Sequence, residues 1–469
     1  MIYLYKKNGL APEIMNTKTI FITLNDGTEI CVPEQSKLMS NFVLLEQGDW
    51  FEDEIHFVRN FIKPGMVALD IGANYGLYST AIAKNIGDNG KLWCFEPTPN
   101  TANALRSTIK KNNLTDKVDI IEAGLSDHIG TATFYLSENS ELNSLSSKNN
   151  QPQESLTIKL LTLDQCKKEH DWKSIDFIKL DAEGEEANIL KKATETLKEC
   201  SPLIMFELKH GDQINHSLIN GFKNLGYDSY YLIPGLDLLA PLNLSVPQDS
   251  FLLNLFCCKP STADQLEKEG YLVTTSEALP GKENISKADF FAKIPALKNL
   301  ETRETLAQEY SQAINSYISS RDENLAKKLR YQHLLSAFDI VKQALKQGES
   351  KIERLSTYAR IAFDVGQRTL GIQICSYVIQ KHLQENNPIQ ITEPYIPINI
   401  EFESLDQKKL ERDWLIASFV DQYIRKHAFS CYFTKTQMIP YFNTLKKLGF
   451  MLPDMKIREQ TLHNRMKGS

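Results

Sequence analysis

One stretch constrains the fold of this chain more than any other, residues 67–80, which read V-A-L-D-I-G-A-N-Y-G-L-Y-S-T. A short apolar run that ends in an acid, here Asp70, is typical of a buried parallel strand. Gly72 and Gly76 have no side chain, so the loop after the strand can turn tightly and approach a ligand closely. The run from Leu77 onward predicts a helix with free N–H groups at its N-terminus. The stretch therefore predicts a strand, a glycine loop and a helix that together bind a nucleotide-like molecule.

The charge of this loop narrows the choice of ligand. In a dinucleotide site three glycines are spaced G-x-G-x-x-G, and the helix N-terminus faces a pyrophosphate. Here the pattern is Asp70-x-Gly72-x-x-x-Gly76, which places a carboxylate where an anionic ligand would be repelled. S-adenosylmethionine has an ammonium and a sulfonium and no phosphate, so it suits this loop better. An NAD-dependent oxidoreductase remains as the alternative enzyme class, disfavoured by the glycine spacing.

Further candidates for binding S-adenosylmethionine, the methyl donor, follow the next two strands. The predicted strand 91–95 ends in Glu96, and its separation from Asp70 is close to the roughly 20 residues expected between a glycine loop and a ribose-binding acid. The strand 118–122 leads to Ser126 and Asp127, which we expect at the adenine edge. The donor site is thus predicted to use Asp70, Gly72, Asn74 and Gly76 for the methionine end, Glu96 for the ribose, and Ser126 or Asp127 for the base.

Acidic residues also mark the ends of two later strands. The strand 177–180 is followed by Asp181 and Glu183, and in an open α/β sheet the ligand crevice lies outside the carboxyl ends of the strands. Glu207 interrupts the apolar run L-I-M-F-E-L, where an unpaired buried acid would be costly. These three carboxylates are therefore predicted to serve the reacting centre.

Composition limits the class of protein. The length of 469 residues predicts two domains, and a formal net charge of -6 gives no overall attraction to nucleic acid. The eight cysteines contain no C-x-x-C pair, which argues against a zinc site and a disulfide scaffold and favours a cytoplasmic setting. The sequence shows neither a secretory signal pattern nor an apolar run approaching the about 18 residues of a spanning helix.

Patterns of hydrophobic residues predict the domain organisation. We expect a tail over 1–17, an α/β domain over 18–260 that begins with a β-hairpin, a linker over 261–284 and an all-α domain over 285–469. Within the α/β domain, the polar residues 137–154 are predicted to form a substrate-facing insertion. The helical region has one hairpin that is tetratricopeptide-like, and it is expected to bind a protein partner or to self-associate.

Five motifs resemble those of FkbM-type methyltransferases. They are D-I-G-A-N-Y-G at 70–76, F-E-P-T-P-N at 95–100, L-S-D at 125–127, T-L-D at 162–164 and I-K-L-D-A-E-G at 178–184. The resemblance covers about residues 18–259 and implies a class I, seven-stranded, doubly wound Rossmann-like fold. It also implies S-adenosylmethionine as the donor and, as the usual reaction, O-methylation of a hydroxyl on a sugar, glycan or natural product.

The chemistry implied by the resemblance requires an in-line displacement and a base for the hydroxyl proton. Asp181 or Glu183 is the expected base, with Glu207 in reserve. A Mg²⁺ ion held by Asp181, Glu183, Glu207 and His210 is an alternative that the spacing does not demand, so no metal is assigned. N-methylation and a non-catalytic module that only binds the donor also stay open.

Overall fold

The computed structural model describes residues 18–35, 37–135, 155–210, 213–276, 308–346, 351–384, 391, 393–405 and 411–467. The predicted tail 1–17, the predicted insertion 137–154 and the second part of the predicted linker lie outside the described residues. Side chains of residues 209–213 are likewise not described.

The described chain begins with the predicted hairpin, strands β1 (Thr19–Thr23) and β2 (Glu29–Pro33), which pair antiparallel. In its turn, Gly27 has a φ of 79°, and Asp26 Oδ1 accepts a hydrogen bond of 2.9 Å from the N–H of Thr28. Asp-Gly supports this turn because both residue types tolerate positive φ. Helices α1 (Met39–Gln47) and α2 (Glu54–Phe61) follow.

The next part of the chain alternates strands and helices. Its elements are β3 (Val67–Ile71), α3 (Leu77–Ala83), β4 (Lys91–Phe95), α4 (Pro99–Lys111), β5 (Val118–Ile121), β6 (Gly124–Leu125), β7 (Gly130–Tyr135), β8 (Ser155–Leu161), α5 (Leu163–Glu169), β9 (Phe177–Leu180), α6 (Glu186–Lys191), α7 (Thr194–Cys200), β10 (Leu203–Glu207), β11 (Lys209–His210), β12 (Gln213–Ile214), α8 (His216–Asn224), β13 (Asp228–Ile233), β14 (Leu238–Pro241), β15 (Asn254–Cys258) and α9 (Pro260–Glu269).

Eight of the described strands form one sheet in the order β14-β13-β15-β10-β9-β3-β4-β5. Strands β5, β4, β3, β9 and β10 run parallel, and β15 pairs antiparallel with both β10 and β13. The seven predicted strands are all present, and β14 adds an eighth by pairing with β13. The chain runs outward from β3 to β5 and then returns to β9 on the other side of β3. This arrangement confirms the predicted doubly wound fold and puts a topological switch point between β3 and β9.

Helices cover both faces of this sheet, which explains why its central strands read as continuous apolar runs. On one face, residues of α2, α3, α4 and α9 pack with the strands in a buried cluster that includes Phe57, Ile82 and Leu105. On the other face, α5 to α8 pack in a second cluster that includes Leu197 and Phe222. The carboxyl ends of the parallel strands are thereby left as the open edge.

A small sheet in the order β6-β8-β7 stands beside this edge. Strand β8 pairs parallel with β6 and antiparallel with β7. Phe134, Ile158 and Leu160 form its buried cluster. The small sheet therefore presents a compact apolar wall next to the carboxyl ends of the large sheet.

The C-terminal region is helical, as predicted. Its helices among the described residues are α10 (Gln308–Ser320), α11 (Lys327–Lys346), α12 (Ile352–Asp364), α13 (Arg368–Gln384), α14 (Glu411–Lys426), α15 (Cys431–Thr434), α16 (Ile439–Leu448) and α17 (Pro453–Lys467), with 3-10 turns at Ile400–Ser404 and Lys435–Met438. Within the described residues, no helix combines the length and apolar character needed to cross a membrane. The tetratricopeptide-like hairpin stays a prediction.

The helical region and the N-terminal elements share one hydrophobic cluster, which contains Phe42 of α1 and Leu238 of β14 together with residues of α10 to α17. A polar contact adds to this packing. Glu46 of α1 is 1% exposed, and its carboxylate accepts hydrogen bonds from the Ser430 hydroxyl and from the N–H of Cys431 at 3.0 Å. The guanidinium of Arg458 lies 3.5 Å from the same carboxylate. Three residues near the end of the chain thus satisfy one buried acid near its beginning.

Candidate active site

A cleft with a cavity volume of about 310 Å³ opens at the carboxyl ends of the central strands. The small sheet contributes Phe134, Ile158 and Leu160 to its wall, and α1 contributes Met39 and Ser40. Six of the residues predicted for the site line this cleft: Gly72, Asn74, Glu96, Asp181, Glu183 and Glu207. The structure therefore brings most of the predicted site together in one place.

The two glycines of the loop have different roles. Gly72 has a φ of 79°, and a Cβ atom there would lie 1.8 Å from the carbonyl oxygen of Asp181. Only glycine fits where these two strand ends approach so closely. Gly76 has a φ of 94°, and a Cβ atom there would lie 2.7 Å from Leu105 Cδ1. Gly76 does not line the cleft; it allows α3 to pack against α4.

Glu96 is fixed at the cleft by backbone donors. Its carboxylate accepts hydrogen bonds from the N–H of Asn74 at 3.1 Å and from the N–H of Thr98 at 2.9 Å. Burial raises the pKa of Glu96 to about 7, with these hydrogen bonds acting in the opposite direction. Each carboxylate oxygen has a second lone pair, so Glu96 can still accept from the two hydroxyls of a ribose.

Asp70 lies beneath the loop instead of on the cleft wall. Its side chain is fully buried, Oδ2 accepts a hydrogen bond of 2.6 Å from Ser79 Oγ, and Oδ1 lies 4.0 Å from Lys179 Nζ. Burial raises its pKa, while Lys179 and Ser79 act to lower it. Asp70 therefore does not lie where it could contact the cationic end of the donor directly, as predicted, and acts on the site through its neighbours. Asp70 anchors α3 and Lys179, because the strand directs its side chain into the core.

Ser126 and Asp127 also lie outside the cleft lining. The Ser126 hydroxyl is buried and donates a hydrogen bond of 2.9 Å to Glu185 Oε2, and Glu185 itself lines the cleft. Asp127 contacts the ring of His128 at 2.8 Å and Lys191 at 3.5 Å on the protein surface. At this position Gly124 and Leu125 line the cleft instead. The predicted contacts of Ser126 and Asp127 with adenine are not supported by these positions, because the chain turns away after β6.

Lys179 joins the elements of the site. Its Nζ donates to Asp181 Oδ2 at 2.9 Å and to the carbonyl of Gly72 at 3.3 Å, and it lies 5.3 Å from the centre of the Tyr78 ring. Burial acts to lower the pKa of Lys179, but the carboxylates of Asp181 and Asp70 outweigh it and raise the pKa. A permanently charged ammonium is thus held between the glycine loop and the two acids. The alternation of side chains along β9 predicts the Lys179–Asp181 pair, but not its contact with Gly72.

Glu52 is a site residue that the sequence patterns missed. Helical spacing of apolar residues predicts a helix over 50–62 with Glu52 in its first turn, but α2 begins at Glu54, and Glu52 lines the cleft. Tyr78 Oη donates a hydrogen bond of 2.5 Å to Glu52 Oε2. Burial raises the pKa of Glu52, and the Tyr78 hydrogen bond partly offsets this effect. No sequence signal distinguishes this acid from its neighbours.

Glu207 ends β10 and faces the same cluster of acids. Burial raises its pKa to about 8, and the charges of Asp181, Glu186 and Glu52 add to the effect. A carboxylate with a pKa in this range can gain and lose a proton near neutral pH. In the part of the chain that the structure describes, no group of three or more His, Cys, Asp or Glu residues could hold a metal ion.

Comparison with known protein families identifies a domain type that matches the part of the chain carrying this site. Residues 70–229, which contain the glycine loop, Glu96, Asp181 and Glu207, match the model of the methyltransferase FkbM domain. The chain carries an FkbM methyltransferase domain. S-adenosyl-L-methionine is its cofactor.

Individual relatives match parts of this chain. The ribosomal RNA large subunit methyltransferase E of Wigglesworthia glossinidia brevipalpis is 38% identical over 92 residues, which are 17% of this chain and 45% of that protein. The chain therefore spans less than half the length of this curated relative. The solved structure of methyltransferase FkbM from Methylobacillus flagellatus KT is 16% identical, with a TM-score of 0.29 over 42% of this chain and 44% of that chain. An S-adenosylmethionine-dependent O-methyltransferase from Thermotoga maritima is 12% identical, with a TM-score of 0.27 over 52% and 93% of the two chains.

The residues of the FkbM domain fit this cofactor. The loop at Gly72 leaves the space that a Cβ atom would fill, and Glu96 offers acceptors for ribose hydroxyls. The cleft wall carries six acids, Glu52, Glu96, Asp181, Glu183, Glu185 and Glu207, and Lys179 as its basic residue among the described ones. Although the raised pKa values of Glu52, Glu96 and Glu207 leave these three acids partly protonated near neutral pH, the excess of acids over bases suits a ligand with an ammonium and a sulfonium and opposes a pyrophosphate.

Replacing Gly72 with alanine is expected to weaken the binding of S-adenosylhomocysteine by at least about 10-fold, because the new Cβ would overlap the Asp181 carbonyl and force the two strand ends apart. Isothermal titration calorimetry measures this. Gly27→Ala is the matched control, since Gly27 has the same φ of 79° but no atom within 4 Å of the added Cβ. Equal affinity of Gly72→Ala and wild type would contradict the close approach.

Proposed function

We propose that this protein is an S-adenosylmethionine-dependent O-methyltransferase whose acceptor is a hydroxyl of a sugar, glycan or natural product. The observation that carries the proposal is the position of Glu207, a carboxyl group with a pKa of about 8, in the cleft that also contains the glycine loop and Glu96. A hydroxyl is a poor nucleophile until it loses its proton, so a base of this kind is what the reaction requires.

Each residue has a defined task in the proposed mechanism. When bound, the donor supplies a methyl group that its sulfonium activates. Glu96 holds the ribose, and the loop at Gly72 admits the donor close to the end of β9. Glu207 accepts the proton of the acceptor hydroxyl while the oxygen forms its bond to the methyl carbon and the carbon–sulfur bond breaks. Alignment of the reactants supplies much of the rate, since effective molarities reach ~10⁵ to 10⁸ M.

We assign the base to Glu207 ahead of Asp181 and Glu183, which the sequence favoured. Asp181 is already paired with Lys179 at 2.9 Å, so its carboxylate is engaged before an acceptor arrives. Glu183 has a φ of 51° in the partly buried turn after β9, at the cleft wall. The partly buried end of β10 suits a base because its surroundings raise the pKa of Glu207 to about 8, which favours the neutral, protonated product of the transfer.

The charge of the cleft supports a non-nucleic-acid acceptor. The name of the relative from Wigglesworthia refers to ribosomal RNA. A phosphate backbone binds to clusters of Lys and Arg, whereas this chain has a net charge of -6 and an acid-lined cleft. An uncharged hydroxylated acceptor meets no such repulsion. All eight cysteines are free thiols, which supports the proposed cytoplasmic setting.

Replacing Glu96 with alanine tests the proposed function. We expect S-adenosylhomocysteine to bind wild type, and its affinity to fall by about 10- to 100-fold in Glu96→Ala, because two hydrogen bonds of a charged acceptor are lost. Turnover at saturating donor is expected to change less than this affinity. Calorimetric titration measures the affinity, with NAD as a parallel ligand.

Glu122→Ala is the control for this experiment, since Glu122 is a surface acid that pairs with Arg106 and does not line the cleft. Unchanged affinity in Glu96→Ala would contradict the ribose role of Glu96. A wild-type protein that binds NAD tightly, and not S-adenosylhomocysteine, would restore the oxidoreductase alternative. Binding without methyl transfer to any hydroxylated acceptor would favour a non-catalytic module.

A further inference from the structure

A second cavity, with a volume of about 410 Å³, lies between the methyltransferase sheet and the helical region. Three of its wall residues, Phe51, Glu52 and Leu253, also line the donor cleft. The two spaces are therefore neighbours that share one wall. The volume falls within the about 300 to 1,000 Å³ typical of small-molecule sites.

The walls of this second cavity combine aromatic rings with amides. The methyltransferase domain contributes Tyr231 and Phe251, and the helical region contributes Tyr331, Phe363 and Phe429. The amide side chains on the wall are Asn243, Gln248 and Gln367. Aromatic faces cover the apolar C–H face of a sugar ring, while amides and carboxylates pair with its hydroxyls. This lining is therefore suited to a polyhydroxylated ligand.

The charges of the lining argue against an anionic ligand. Its described residues include five acids, Glu52, Asp53, Glu54, Asp249 and Asp339, and two bases, Arg368 and Lys426. Both bases are already engaged. Lys426 Nζ lies 3.6 Å from Asp53 Oδ1, and the Arg368 guanidinium donates to the carbonyls of Lys426 and Ala428 at 2.8 and 2.9 Å.

Arg368 has a structural role, because it holds two of the aromatic residues of the cavity wall. Its guanidinium carbon lies 4.3 Å from the centre of the Phe251 ring and 4.8 Å from that of Phe429. Such cation–π contacts tie a residue of the sheet domain to a residue beyond α14. The two rings also contact each other, with centres 5.4 Å apart, so Arg368 holds together an aromatic pair on one part of the cavity wall.

We infer that the second cavity is an acceptor subsite, built jointly with the helical region, that holds an uncharged sugar unit next to the one methylated. This inference rests on the proposed function and assigns a location and a task to residues beyond the FkbM match. An acceptor that reaches past Phe51 and Leu253 would place its reacting hydroxyl near Glu207 and its next ring among the aromatic residues. The helical region then selects oligosaccharides over monosaccharides.

Filling the cavity tests the inference. Leu335 of α11 is partly buried and lines the second cavity but not the donor cleft, so Leu335→Trp places a bulky side chain there. Leu345→Trp is the matched control, because Leu345 is a partly buried leucine on the same helix that does not line the cavity. Full-length protein saturated with S-adenosylhomocysteine is titrated with glucose, galactose and mannose, with their neutral di- and trisaccharides, and with uronic-acid-containing analogues. Saturation-transfer NMR and calorimetry report binding.

In wild type and in Leu345→Trp we expect at least one neutral oligosaccharide to bind about 10-fold more tightly than its monosaccharide. In Leu335→Trp this advantage is expected to fall below about 2-fold, with unchanged affinity for S-adenosylhomocysteine showing that the fold is intact. An advantage that survives in Leu335→Trp, the lack of any advantage in wild type, or a preference for the uronic acids would overturn the inference while leaving the methyltransferase intact. Failure of wild type to bind S-adenosylhomocysteine would instead overturn the proposed function and, with it, this inference.

Discussion

Replacing Glu207 with glutamine is expected to lower kcat by about 10² to 10⁴-fold, because the amide cannot accept the hydroxyl proton. Affinity for S-adenosylhomocysteine should stay within about 2-fold, since the proposed donor contacts are made by Glu96 and the glycine loop. Asp181→Asn and Glu183→Gln, assayed beside it, identify the base among the three carboxylates. A larger loss of kcat in either of these would transfer the role of base to that residue.

The pH dependence provides an independent measure of the same group. Since the base must be deprotonated and burial raises the pKa of Glu207 to about 8, kcat should rise with pH, reach half its maximum near pH 8 and level off above about pH 9. Stability should change in the opposite direction. The raised pKa means that the folded state favours the protonated form of Glu207. The contribution of Glu207 to folding stability is therefore complete below about pH 4.5, the ordinary pKa of a glutamate, and is lost as the pH rises through about 8. Glu207→Gln should therefore unfold at a higher temperature than wild type at pH 8, with no such difference near pH 4. A flat kcat profile would contradict the assignment.

Replacing Lys179 with methionine is expected to lower the free energy of unfolding by about 3 to 5 kcal/mol, the usual cost of leaving a buried charge without its partner. Lys179 is 7% exposed, and its removal would leave the fully buried Asp70 without the nearby ammonium and the Gly72 carbonyl without this donor. Urea unfolding followed by circular dichroism measures the change, and the same variant should bind S-adenosylhomocysteine weakly.

Two further variants separate this effect from a general loss of lysine charge. Lys173→Met removes the ammonium of a Lys–Asp pair with Asp171 that is exposed to solvent, so its unfolding midpoint should match that of wild type. Asp70→Asn combined with Lys179→Met should recover part of the lost stability, because the uncompensated charge disappears. A Lys179→Met protein as stable as wild type would show that Asp70 is neutral in the folded state.

The parts of the site that the sequence predicts are those set by a single strand end. Glu96 and Asp181 each follow an apolar run directly, and parallel strands bring their carboxyl ends to one edge whatever the rest of the chain does. Glu207 can be predicted as a site residue for a related reason, because an acid within an apolar run is costly to bury unless it has a partner or a function. The doubly wound fold follows from the same alternation of strands and helices.

The remaining features depend on contacts between segments far apart in the chain. Glu52 reaches the cleft only because α2 starts two residues later. The Asp70 side chain points into the core, which the order of apolar and polar residues in its strand does not predict. The second cavity requires Phe51 to lie beside Phe429, with ring centres 5.1 Å apart. Hydrophobic periodicity gives the buried face of a helix, but it does not identify the partner of that face.

The contacts of Glu46 impose an order of events during synthesis. Helix α1 lines the donor cleft with Met39 and Ser40, yet the buried carboxylate of Glu46 is satisfied by Ser430, Cys431 and Arg458. A buried carboxylate without donors is costly, so α1 cannot settle until those residues have left the ribosome. The last strand of the large sheet ends at Cys258, about 170 residues before Ser430, so the sheet can assemble earlier. A nascent chain would therefore carry a finished sheet, with Glu96 and the glycine loop in place, before the part of the cleft wall that α1 contributes is complete.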